Sequence, residues 1–62
     1  MKSRETKFRI IIADDHDILR FGLKNLIQRD PELEVIGEAR DGQALLTLKK
    51  KKKCDLIILD LS

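Results

Sequence analysis

Two near-continuous apolar runs and three periodic stretches divide this chain. Phe8-Arg9-Ile10-Ile11-Ile12-Ala13 and Leu56-Ile57-Ile58-Leu59 are too short for stable helices and suit strands covered on both faces. The second run lies between Asp55 and Asp60 with no polar interruption, and it predicts a central parallel strand. After the first run and Asp14-Asp15-His16, apolar residues at Leu19, Leu23, Leu26 and Ile27, flanked by Ile18 and Phe21, recur at helical spacing. They predict a helix from Asp17 to Gln28 or Arg29, with Asp17 as cap or first-turn anion and Asp30-Pro31 as the stop. Gly22 inside that helix costs about 1 kcal/mol relative to Ala, which points to close packing against the sheet. From Leu33 to Ala39, the residues Leu33, Val35, Gly37 and Ala39 alternate with Glu34, Ile36 and Glu38, the pattern of a half-exposed edge strand. Asp41-Gly42 then turns the chain into a second helix, about Gln43 to Lys52, with Ala44, Leu45 and Leu48 on its apolar side and Leu46 beside them.

Strand, helix, strand, helix, strand implies an α/β fold with parallel pairing through right-handed crossovers. A reversal after the first unit gives the sheet order 2-1-3, in which the first and third strands are neighbours. Ligands of open α/β sheets collect beyond the carboxyl ends of the strands, and Asp14, Asp15 and Asp60 all converge there. Three clustered carboxylates either raise one another's pKa or hold a hard cation, and magnesium, which pairs one or two carboxylates with water and phosphate, fits best. Simple caps at strand ends are the alternative.

Composition narrows the class. The chain has 62 residues, 42% hydrophobic and 39% charged, with two Phe and neither Trp nor Tyr, as expected of part of a small globular α/β domain of marginal stability. No apolar run approaches the roughly 18 residues of a membrane span, and none has a signal-peptide pattern, so the cytoplasm is the expected site of action. Cys54 is the single cysteine and is expected as a small buried hydrophobe. The net charge of +2 hides +2 over Met1–Lys7 and +5 over Lys49–Lys53, which leaves −5 for the rest. An acidic body favours a cation site over a nucleic-acid surface, and the lysine run is expected as a solvated helix end that complements the helix dipole.

Four segments together resemble a known family. Ala13-Asp14-Asp15-His16, Arg20-Phe21-Gly22-Leu23 with Leu26, Glu34-Val35-Ile36-Gly37-Glu38-Ala39-Arg40-Asp41-Gly42 and Asp55-Leu56-Ile57-Ile58-Leu59-Asp60-Leu61-Ser62 look like the receiver domain of a two-component response regulator of the NarL/LuxR (FixJ) type. The resemblance implies a flavodoxin-like fold, here β1-α1-β2-α2-β3, with residues 1–7 a flexible tail and residues 8–62 the N-terminal portion of the receiver. It makes Asp60 the phospho-acceptor, charged by a histidine kinase or a small acyl phosphate. It makes Asp14, Asp15, Asp60 and the backbone carbonyl of Ser62 the Mg2+ ligands. His16 matches a habit of the subfamily and is taken as a loop residue, not a ligand. Such a receiver is a signalling module, not an enzyme beyond phosphoryl transfer to its own Asp, and in this subfamily it controls a DNA-binding output domain.

These 62 residues reach only three of the family's five strands. The hydroxyl residue after the fourth strand and the Lys after the fifth are absent, so the resemblance implies a half-receiver whose phosphotransfer is much impaired. A haloacid-dehalogenase-like phosphatase wants a second Asp two positions after the nucleophile, where Ser62 stands. An interaction module without phosphotransfer is the stronger alternative. The unblunted strand over about residues 54–60 is an open edge in the 2-1-3 order, and a homo-oligomer formed through it is expected. No membrane contact, and no nucleic-acid contact by this segment itself, is expected.

Overall fold

A computed structural model describes residues 7–60 and contains five elements: β1 (Phe8–Asp14), α1 (Asp17–Ile27), β2 (Leu33–Ala39), α2 (Gly42–Lys51) and β3 (Leu56–Asp60). The expected tail, apart from Lys7, and the Ser62 carbonyl lie outside the described residues. All strands are parallel in the order β2-β1-β3, the flavodoxin-like half-fold expected from the pattern.

β1 is central. Its Ile10, Ile11, Ile12 and Ala13 are buried, with Ala39 of β2, and form the core. The apolar run of β3, which predicts a central strand, instead occupies an edge of the described sheet, where Leu56 is 45% and Leu59 61% exposed. Cys54 just before it is half-buried, not buried as expected. The start of β3 is latched to β1 from both directions: the Asp55 N–H donates to the Arg9 carbonyl at 2.8 Å, and the Arg9 N–H donates to Asp55 Oδ2 at 2.8 Å.

The strict alternation expected in β2 is broken. Ile10 pairs with Val35 but Ile11 pairs with Gly37, so Ile36 is an extra residue in the strand, a β-bulge. Because side chains alternate faces, the extra residue moves Gly37 and Ala39 to the face of Ile11 and Ala13, and puts Glu38 on the face of Ile12. α2 covers the first of these faces: a Cβ on Gly37 would lie 3.1 Å from Leu48 Cδ1. The second faces α1, whose Arg20 and Lys24 reach Glu38. The Ile36 carbonyl accepts from Lys52 Nζ at 2.7 Å.

The close approach expected at Gly22 is therefore made elsewhere, since a Cβ there would meet nothing within 4 Å. α1 begins after His16, whose side chain makes no cap bond, with Asp17 as the first-turn anion. α2 is capped by Asp41, which accepts from the Ala44 N–H at 2.8 Å. It ends in Lys49, Lys50 and Lys51 with Lys52 as C-cap, and these cations stand where the helix dipole is negative. No helix among the described residues is long and apolar enough to cross a membrane.

Candidate functional site

The carboxyl ends of β1 and β3 meet as neighbours. Asp14 pairs in register with Asp60, on strands that stand roughly 4.8 Å apart in a sheet, so the two carboxylates share one face and one edge. Their environments differ. Asp14 is 1% exposed, whereas Asp60 and Asp15 are exposed.

The chain turns sharply after Asp14, and the turn itself holds the Asp14 side chain. The His16 N–H donates to Asp14 Oδ1 at 2.8 Å, and His16 Nδ1 reaches the same oxygen at 2.8 Å. An ionised carboxylate only accepts, so Nδ1 carries a proton there. His16 Nδ1 also stands 3.0 Å from Asp15 Oδ1, and the ring thus sits between two carboxylates. The backbone N–H of His16 holds the Asp14 carboxyl below its ordinary value of 3.8, against the opposing effect of burial. In return His16 is raised above its ordinary 6.5, first by the Asp14 hydrogen bond and then by the charge of Asp15, with Asp60 contributing.

Behind this turn stands Arg20. It donates through Nη1 to the Asp14 carbonyl, through Nη2 to Asp17 Oδ1 at 2.8 Å and through Nε to Glu38 Oε1 at 3.2 Å. Lys24 Nζ holds the other Glu38 oxygen at 2.9 Å, and with Arg20 it keeps that carboxyl below its ordinary range.

Asp14 Oδ2 is buried and has no hydrogen-bond partner. A buried carboxylate oxygen left this way is costly unless something binds it. Ligand atoms of Asp14, Asp15 and His16 all lie within 4.8 Å of one another, a spacing that fits one hard cation on the carboxylate oxygens. The structure thus brings together Asp14, Asp15 and Asp60, as expected from the strand ends, while Ser62 lies outside the described residues. His16 does more than a loop residue, since it bridges the two acids. Arg20 was not among the expected site residues; its signal is its place three residues after Asp17 on the helix that follows the acidic pair.

The family model of the response regulator receiver domain matches residues 10–62. This chain belongs to the response regulator receiver family. The nitrate/nitrite response regulator protein NarP of Escherichia coli strain K12 is 40% identical over 57 residues, covering 92% of this chain and 26% of NarP. A protein-glutamate methylesterase/protein-glutamine glutaminase of Pyrococcus abyssi is 44% identical over 54 residues, 15% of its own length. Among solved structures, RcsB of Salmonella enterica serovar Typhimurium, bound to promoter rprA in the presence of phosphomimetic BeF3-, superposes with a TM-score of 0.86 at 35% identity. That match covers 92% of this chain and 28% of RcsB. The chain thus spans between 15% and 28% of these relatives. NarP, NarL and RcsB place the receiver in the NarL/LuxR type. Receivers are signalling modules that work with histidine kinases and output domains, and they generally bind Mg2+ at an acidic site like this one.

Proposed function

We propose that residues 8–62 act as the phospho-accepting part of a cytoplasmic two-component receiver, with Asp60 as the acceptor. A carboxylate oxygen of Asp60 attacks phosphorus, an acyl–phosphate bond forms, and the P–N bond of a kinase phosphohistidine or the P–O bond of a small acyl phosphate breaks, its electron pair leaving with the donor. Asp60 is exposed at the strand end, as a nucleophile that must meet a donor has to be. Asp14 and Asp15 hold Mg2+, with Asp60 and the Ser62 carbonyl as the remaining protein ligands. When bound, the ion neutralises charge between an anionic nucleophile and an anionic phosphoryl group, which otherwise repel. The observation that carries this reading is the buried, unpartnered Oδ2 of Asp14, the residue paired in register with Asp60. In the whole protein the receiver controls a DNA-binding transcriptional output.

Intact mass after incubation with acetyl phosphate and Mg2+ tests the proposal. A slowly growing minor fraction of wild type gains about 80 Da and Asp60→Asn gains nothing. An equal gain in both removes Asp60 as the acceptor.

A second reading rests on a different observation. The outer side of β3 has no neighbouring strand among the described residues and carries exposed Leu56 and Leu59, and a second copy pairing there forms a two-fold homo-oligomer through residues 54–60. Sedimentation equilibrium of wild type and Ile58→Lys over a hundredfold concentration range separates the two readings, since a monomer at every concentration excludes the assembly.

A further inference from the structure

We propose that Arg20 is a positioning residue of the acidic turn: its guanidinium fork fixes the Asp14 main chain against α1 and β2, and so sets where the free Asp14 carboxylate oxygen stands for a divalent cation. This rests on the reading of Asp14 and Asp15 as the cation site.

Three donors of one planar group reach three parts of the fold. Nη1 takes the carbonyl of Asp14 at 2.6 Å, Nη2 the Asp17 carboxylate in the first turn of α1, and Nε the Glu38 carboxylate on β2. The side chain is 15% exposed, which separates it from the surface ion pairs that contribute little. The β1–β2 pairing ends at Ala13 with Ala39, so at Asp14 the strand has run past its ladder with β2 and the guanidinium supplies a donor there. A lysine cannot replace this, because one ammonium cannot span three acceptors in a fixed plane.

The bulge at Ile36 is part of the device. It turns Glu38 onto the α1 face, and Lys24 grips the second Glu38 oxygen so that the carboxylate meets Arg20 in one orientation. The charge of Arg20 is matched by Asp17 and that of Lys24 by Glu38, so the clamp places cations near the site with little net repulsion of a metal ion. What remains is geometry. Asp14 Oδ1 is tied to the His16 N–H within the same turn, and a shift of the Asp14 main chain moves Oδ2 and the His16 bond together.

The test compares wild type, Arg20→Lys and Glu38→Gln at concentrations where circular dichroism shows equal folded content. Amide hydrogen exchange is read at His16 against Ile11 and Ile12, and Mn2+ affinity is read by calorimetric titration. In Arg20→Lys the His16 N–H exchanges at least about tenfold faster relative to Ile12, and the Mn2+ Kd rises about tenfold, as is typical when a residue orienting a metal ligand is lost. Glu38→Gln shifts both in the same direction by less. Wild type that ignores Mn2+ removes the cation reading alone, and the exchange ratio then decides the positioning role. Exchange that quickens equally at His16, Ile11 and Ile12, with Mn2+ affinity unchanged in Arg20→Lys, shows a merely stabilising ion pair and overturns the proposal.

Discussion

β1 and β3 are nearly the same strand in composition, each an isoleucine-rich run ending in aspartate, and they lie side by side in register, Ile11 against Ile57 and Asp14 against Asp60. Yet four apolar residues of β1 are buried and none of β3 is. The two aspartates differ in the same way, Asp14 held and hidden, Asp60 exposed. Place in the described sheet, not residue type, thus sets which strand is buried. Under the function proposed above, the fixed, desolvated carboxylate of β1 would hold the cation and the accessible one of β3 would react.

The largest effect that could break this contrast lies in the apolar runs. Ile11→Ala should cost about 2–5 kcal/mol of stability by opening a cavity around a side chain with no exposure. Leu59→Ala should stay within about 0.5 kcal/mol. Urea unfolding of both variants at one concentration decides it, and a large cost for Leu59→Ala would mean that a second copy covers the β3 edge.

At the strand ends the expected gap is smaller. Asp14→Asn keeps the size of the side chain but weakens its acceptance from the His16 N–H, and should cost about 1–3 kcal/mol. Asp60→Asn should change stability by less than about 0.5 kcal/mol. Equal shifts in the thermal midpoints of the two variants would erase the distinction between a structural and a reactive carboxylate.

The smallest effect is in pH dependence. Asp14, lowered from 3.8, contributes stability that is present above that value and lost as pH falls through its folded pKa. His16, raised from 6.5, contributes stability that is complete below that value and lost as pH rises through its folded pKa. The turn should therefore be firmest between those two ordinary values, with a modest amplitude because the His16 side chain is 55% exposed. Urea midpoints should decline in wild type as pH rises above 6.5 through the folded pKa of His16 and stay flat there in His16→Gln. A decline of equal size in the variant would remove His16 as its source.

All five elements were legible from the chain, to within a residue or two at each end, because apolar periodicity and the signals at Asp17, Pro31, Asp41 and Gly42 act over a few neighbouring residues. The acids at the strand ends were legible for the same reason: each stands where an apolar run stops. His16 and Arg20 were not legible as members of the site, since their partners, Asp15 and Glu38 among them, are set by the turn and by packing between elements.

By itself, then, the sequence determined which segments are strands and helices, that the strands run parallel, and which carboxylates reach the sheet's carboxyl edge. Only the tertiary structure decided that Ile36 bulges, so that Gly37 rather than Gly22 takes the close helix contact and Glu38 turns to Arg20. It also decided that Leu56–Leu59, the purest apolar run, stands at an edge of the described sheet while β1 is buried. Register and burial depend on pairings between residues far apart in the chain, and a one-residue slip in such a pairing moves every later side chain to the opposite face without changing any local pattern.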